Sequence, residues 1–183
     1  NSSMSIKFSQ LAGKLCYTSV VEQEPAYLID FNSSTGVLSG AIVLPGTPIG
    51  ICTNIYNGWH DVEFSPNGSK LYLSKYRMST PAGGGQIFQY DLSLPANNIV
   101  SVFSTGSTDI QKTFTGLRTG PDGKIYFQYF NTTTGDDRWL GVISNPNNAG
   151  SACNANGSGL NLGMSQSGSC RLPLCLYYCS TEG

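Results

Sequence analysis

Seven side chains in this sequence combine types and positions suited to chemistry: Tyr56, Trp59, His60, Arg77, Asp136, Asp137 and Arg138. Aromatic rings, adjacent carboxylates and guanidinium groups suit a glycan or peptide ligand, held by ring stacking and directional hydrogen bonds. His60 is the only histidine. As a general base it needs an orienting partner, and Asp61 next door points the opposite way in an extended segment. A structural role at the start of a strand is the stronger reading for His60, and no Gly-x-Ser-x-Gly elbow supports a serine hydrolase. The sequence therefore predicts no catalytic residues. Trp59 stands evenly between ligand stacking and packing, whereas Trp139, inside a strand pattern, reads as a packing residue.

Metal chemistry has little footing. Asp136 and Asp137 follow Asn131-Thr-Thr-Thr-Gly, and an oxygen-rich loop of this kind can hold Ca2+, but the spacing departs from the EF-hand loop. A solvated loop is the default there, with Ca2+ near Asp136 as the alternative; no other cofactor is expected. Six cysteines, Cys16, Cys52, Cys153, Cys170, Cys175 and Cys179, are many for a chain of this kind. As disulfide candidates they imply an oxidising compartment, with the pairing left open. The late cysteines lack the paired C-x2-C knuckles of a zinc site, and Cys16, within a strand pattern, also suits a small buried hydrophobe. Sequons at Asn1, Asn32, Asn67, Asn131 and Asn156 mark surface loops.

At 183 residues the chain suits one domain, 1–183, with a sizeable core. Charged residues make up 11% and the net charge is −1, which argues against a nucleic-acid partner because phosphate binding needs clustered Lys and Arg. No apolar run approaches the roughly 18 residues of a membrane span. The N-terminal Asn1-Ser-Ser-Met-Ser lacks the regions of a signal peptide, so a mature or excised piece is expected.

The elements that must position the candidate residues are strands. Sustained 3.6-residue periodicity is absent, while alternation is frequent, as in Lys70-Leu-Tyr-Leu-Ser and Gln86-Ile-Phe-Gln-Tyr-Asp. One pattern occurs three times: Ile6 to Tyr17, Val62 to Leu73 and Leu117 to Phe127, each an apolar strand, a Gly-bearing turn and a strand opening on Lys-Leu or Lys-Ile. The anchors Phe8, Phe64 and Thr119 lie about 55 residues apart, within the range of propeller blade repeats. In Ser65-Pro-Asn-Gly and Gly120-Pro-Asp-Gly, Pro presets φ, Asn or Asp tolerates the next position, and Gly takes positive φ. A third strand follows in each unit (26–31, 86–91, 138–143), and a fourth is readable in two (37–44, 99–103). In the third unit, 145–153 looks like loop in place of the fourth strand.

The fold predicted is all-β and β-propeller-like, with three four-stranded antiparallel blades over about 5–45, 60–105 and 115–163 and a cysteine-rich tail at 164–183. Rings usually close with about four to eight blades, so three leave an incomplete ring. A fragment of a longer protein is the favoured explanation, and a second copy completing a six-bladed ring the alternative. In such blades the loops 20–25, 77–85 and 131–137 share one end with the links 45–60 and 106–115. Binding residues concentrate on loops held by a rigid scaffold, and all seven candidates fall on that end.

The run from Asp61 to Ser74, then Gln86 to Leu92, Gly116 to Phe127, Leu140-Gly-Val-Ile-Ser-Asn-Pro-Asn147 and Cys153, resembles the propeller-like repeat region of large secreted bacterial proteins. Those proteins carry a gliding-motility or type IX sorting domain at the C-terminus, with YVTN/WD-repeat-like propellers. The resemblance implies a secreted or cell-surface scaffold and no catalytic residues. It departs in two ways: those proteins run longer on both sides, and no sorting domain is present in this sequence. The function expected is a non-catalytic module for adhesion, recognition or extracellular assembly, with a glycan or protein ligand. A propeller hydrolase acting on lactones or glycans, or a subunit of an extracellular filament, is the alternative.

Overall fold

The computed structural model describes residues 4–19, 25–44, 59–75, 85–95, 98–105, 112–131 and 139–163. Twelve strands form three four-stranded antiparallel sheets. The first holds β1 (Met4–Ser9), β2 (Lys14–Ser19), β3 (Tyr27–Phe31) and β4 (Leu38–Val43). The second holds β5 (Trp59–Phe64), β6 (Lys70–Lys75), β7 (Gln86–Asp91) and β8 (Ile99–Ser104). The third holds β9 (Lys112–Thr119), β10 (Ile125–Asn131), β11 (Trp139–Ile143) and β12 (Ala155–Asn161). Strands pair in sequence order within each sheet, so β1, β5 and β9 are edge strands. These three lie side by side, β1 against β5 and β5 against β9. The architecture is all-β and propeller-like, with three blades and their innermost strands gathered along one line.

Each repeated turn owes its shape to glycine. Gly13, Gly68 and Gly123 adopt φ of +59°, +71° and +73°, closing the β1–β2, β5–β6 and β9–β10 turns in the left-handed region that L side chains resist. Gly68 has a second constraint: a Cβ there would sit 2.9 Å from the Ala12 backbone nitrogen, because the first two turns abut.

Strand alternation then buries both faces of the second blade. Val62, Phe64, Leu71, Leu73 and Trp59 face the first blade, where they meet Cys16, Leu28 and Leu44. Tyr72 and Ile87 face the third blade and pack with Phe114, Leu117, Ile125, Phe127, Ile143 and Cys153. Fully burying each such side chain contributes about 1.5–3 kcal/mol, so two dry seams hold the stack. Close approach is needed within the third blade too. Gly141 pairs with Phe127, and a Cβ on Gly141 would fall 2.2 Å from the Phe127 ring.

The third blade corrects one reading of the sequence. Residues 145–153 do form turns, ending in a 3-10 helix at Gly150–Cys153, but a fourth strand follows at Ala155–Asn161. Its Ala-Asn-Gly-Ser-Gly-Leu-Asn sequence is polar and glycine-rich, and Gly157 and Gly159 allow Phe103 and Val142 to lie against the backbone. Apolar alternation therefore gave no sign of it. Among the described residues no helix is long and apolar enough to cross a membrane.

Candidate functional site

Of the candidate ligand residues, Tyr56, Arg77, Asp136, Asp137 and Arg138 lie outside the described residues, as do Cys52, Cys170, Cys175 and Cys179. Trp59 and His60 open β5. Trp59 is 0% exposed, its ring 5.5 Å from Phe88 in an edge-on contact and under the Lys75 ammonium at 5.4 Å. Of the two readings the sequence left even for Trp59, the structure shows packing: it is a residue of the first seam. His60 is half-buried beside it, and Trp139 is half-buried at the start of β11.

The cysteines in view are also corrected. Cys16 and Cys153 are free thiols, one in each seam, and hold no disulfide. Burial pushes the Cys16 thiol far above its ordinary value. Burial also raises Cys153, opposed by its polar contacts with Tyr72 and the backbone. Both are inert small hydrophobes rather than thiolate nucleophiles.

The polar chemistry that the structure does assemble lies along the innermost strands. Asp61 and Glu63 alternate with apolar Val62 and Phe64 on β5, so their side chains point toward the third blade. Asp61 Oδ1 accepts from Ser5 Oγ of the first blade and from the Val62 N–H at 2.9 Å. Its Oδ2 accepts from the Leu117 N–H at 2.8 Å and from Arg118 Nη1 at 2.9 Å, both in the third blade. Glu63 repeats the device: Oε1 takes the Phe64 N–H at 3.2 Å, and Oε2 takes the Lys7 ammonium at 3.1 Å and the Thr119 N–H at 3.2 Å. Ser5–Asp61, Lys7–Glu63, Asp61–Leu117 and Glu63–Thr119 are each separated by 56 residues, within one residue of the repeat.

Each carboxylate thus joins three blades. It satisfies amides on strand edges that pair with no strand among the described residues, and ionised acceptors make such bonds short and strong. The Asp61 side chain is only 5% exposed, whereas Arg118 and Lys7 are 27% and 24% exposed and present their cationic ends along the innermost strands. Sequence reading passed over Asp61, Glu63, Lys7 and Arg118. The available signal was opposite or complementary polarity at matched repeat positions, Ser5 with Asp61 and Lys7 with Glu63.

A second polar cluster locks the outer side of the second seam. Tyr72 donates to the Pro146 carbonyl at 2.8 Å, and Gln89 Nε2 donates to Tyr72 Oη at 2.6 Å and to the Asn148 carbonyl at 2.8 Å. Gln89 Oε1 accepts from the Gly150 N–H at 2.7 Å. The turn 145–150 is thereby clamped to the second blade. Burial is the main cause that raises the Tyr72 phenol above its ordinary value, against the Gln89 hydrogen bond. Among the described residues, no group of three or more His, Cys, Asp and Glu side chains is placed to hold a metal ion.

No protein-family model matches the chain, and no curated protein matches it. Among solved structures, a crystal structure of a glucose dehydrogenase is similar at TM-score 0.51 and 15% identity, over 80% of this chain and 48% of that one. A second chain described as glucose dehydrogenase matches at TM-score 0.52 and 16% identity, over 80% of this chain and 51% of that one. The chain spans about half the length of these structures. At such identities the likeness concerns the fold alone, and it agrees with the propeller-like architecture of three four-stranded blades.

Proposed function

We propose that this chain is a non-catalytic propeller module that recognises a glycan or protein ligand through the loop-bearing end of its blades, in a secreted or cell-surface setting. One observation carries the non-catalytic part. The carboxylates of the described innermost strands, Asp61 and Glu63, have every oxygen engaged, both Asp61 oxygens and Glu63 Oε2 by neighbouring blades and Glu63 Oε1 by the Phe64 N–H of its own strand, which leaves them as structural ties rather than acids or bases. The ligand reading rests on where a propeller collects its long loops, with Tyr56, Arg77, Asp136, Asp137 and Arg138 as the residues to carry it. The extracellular setting rests on the resemblance to secreted bacterial propeller repeats, including those exported with type IX sorting domains. Cys16 and Cys153, being reduced, add nothing to it.

The likeness to glucose dehydrogenases favours one second reading, a propeller enzyme acting on a sugar. The two separate in one experiment. The purified chain is presented to a glycan array and, in parallel, to an aldose panel with an artificial electron acceptor and a lactone panel. Saturable glycan or protein binding that Arg77→Ala or Arg138→Ala weakens, without turnover, supports the module. Sustained turnover of any sugar or lactone overturns it.

A further inference from the structure

The first blade presents a face that its two sister blades bury. By strand register, Ile6, Tyr17, Tyr27 and Val43 form one row across its four strands. The corresponding rows are Val62, Leu73 and Phe88 in the second blade and Leu117, Phe127 and Gly141 in the third. Val62, Leu73, Leu117 and Phe127 are all 0% exposed, yet Ile6 is 52% exposed and Val43 50%. Phe8 behaves likewise: it rests on Phe31 at 5.0 Å but is 57% exposed, while its counterpart Phe64 is 5% exposed. An apolar sheet face of this extent, with two of its equivalents sealed by a blade, is built to be covered.

The tie between the blades states what the cover must carry. Asp61 and Glu63 accept the N–H groups of Val62 and Phe64 in their own strand and of Leu117 and Thr119 in the blade that follows. The places ahead of Ile6 and Phe8 hold Ser5 and Lys7, both already donating to those carboxylates, so acceptors for the first blade must come from its cover. The residues matching Leu117 and Thr119 in the first blade are Ile6 and Phe8, on the edge of β1 that pairs with no strand among the described residues. We infer that this open face is a docking surface for a further four-stranded blade whose innermost strand bears two carboxylates, two residues apart, which accept from the Ile6 and Phe8 amides.

A second copy of this chain does not meet that requirement. Seated head to tail, its third blade would offer Gly116 and Arg118 at the places of Asp61 and Glu63, a hydrogen and a guanidinium facing amide donors. Amide N–H groups and a cation offer no acceptor to one another. The occupant is therefore an acidic blade distinct from the third one, and the inference holds whether or not the loop end binds a ligand.

The experiment adds such a blade. Residues 59–111 are duplicated ahead of Asn1, which reproduces the sequence spacing between the second and third blades, and amide hydrogen exchange is read at Ile6 and Phe8. The added blade should slow both amides by about tenfold or more relative to the native chain. Asp61→Asn with Glu63→Gln in the added copy alone should return most of that protection. Unchanged exchange at Ile6 and Phe8 in a folded, lengthened chain overturns the inference, as does equal protection by the carboxamide version. Light scattering of the native chain supplies a measurement that needs no added blade. A monomer across the micromolar range agrees with the mismatch at Arg118, and a closed two-copy ring overturns it.

Discussion

Replacing Asp61 with alanine removes the best-connected polar group of the stack. Three of its four partners, Ser5, Leu117 and Arg118, belong to other blades. Leu117 is 0% exposed, so its N–H loses its acceptor in a site that water does not reach, at about 1–3 kcal/mol. Arg118 is partly exposed and rehydrates, so breaking its ion pair costs less than the 3–5 kcal/mol typical of a fully buried pair, about 1 kcal/mol. The Val62 N–H and Ser5 hydroxyl add a few tenths each. The total is about 3 kcal/mol, a large part of a domain stability of about 5–15 kcal/mol. For a chain of this size it lowers Tm by about 6–12 °C. Asp61→Asn should lose most of the same, because its carboxamide nitrogen turns a donor toward one set of donors. Asp30→Asn is the control: its ion pair with Lys14 is half exposed, and its loss should cost below about 1 kcal/mol. Urea unfolding with fluorescence and far-ultraviolet dichroism measures all three. If Asp61→Ala lies within about 1 kcal/mol of wild type, the carboxylate is not a tie between blades and the reasoning fails.

Further expectations follow from the packing and the titrating groups. Gly141→Ala should destabilise by about 1–3 kcal/mol, since the new methyl meets the Phe127 ring; calorimetry within a few tenths of wild type would show that the ring can move aside. Cys16 and Cys153 should resist iodoacetamide in the native chain and react once it is unfolded, which mass spectrometry reads directly; rapid native alkylation of Cys16 would contradict its burial. Burial raises the Tyr72 and Tyr90 phenols above the ordinary value of 10.0, so the folded state favours their neutral form. Their contribution to stability is complete below pH 10 and declines as pH rises above it, and ultraviolet titration should show part of the tyrosine signal appearing only with unfolding. Asp122 is held down to about 2, first by the Lys124 ammonium and then by the Tyr126 hydroxyl. A carboxyl carbon titration by NMR should place its midpoint there, and Lys124→Ala should move it toward the ordinary carboxylate range.

The blade pattern was legible because it is local. Alternation in Val62 to Phe64 and Lys70 to Leu73, and a glycine fixed at positive φ in each turn, are written within a dozen residues of chain. β12 was not, because its partners supply the apolar contact: Phe103 and Val142 lie on the backbone of Gly157 and Gly159, so the strand itself needs no apolar side chains. The ties at Asp61 and Glu63 escaped notice for a different reason. In a single strand they read as the solvent-facing half of an alternating pattern, and only the packing of sister blades turns that half toward a neighbour. Trp59, an aromatic at a loop boundary left even between stacking and packing, is turned into the seam beside a bulge between Trp59 and Asp61.

Asp61 and Glu63 tie the second blade to both neighbours, taking the Ser5 hydroxyl and Lys7 ammonium of the first and the Leu117 and Thr119 amides of the third. Residue-resolved amide hydrogen exchange on the native chain tests this most directly, because Ile6, Phe8, Leu117 and Thr119 occupy matched places on strand edges that pair with no strand among the described residues. Leu117 and Thr119, held by Asp61 and Glu63, should exchange at least about tenfold more slowly than Ile6 and Phe8. Equal rates at the four amides would contradict it.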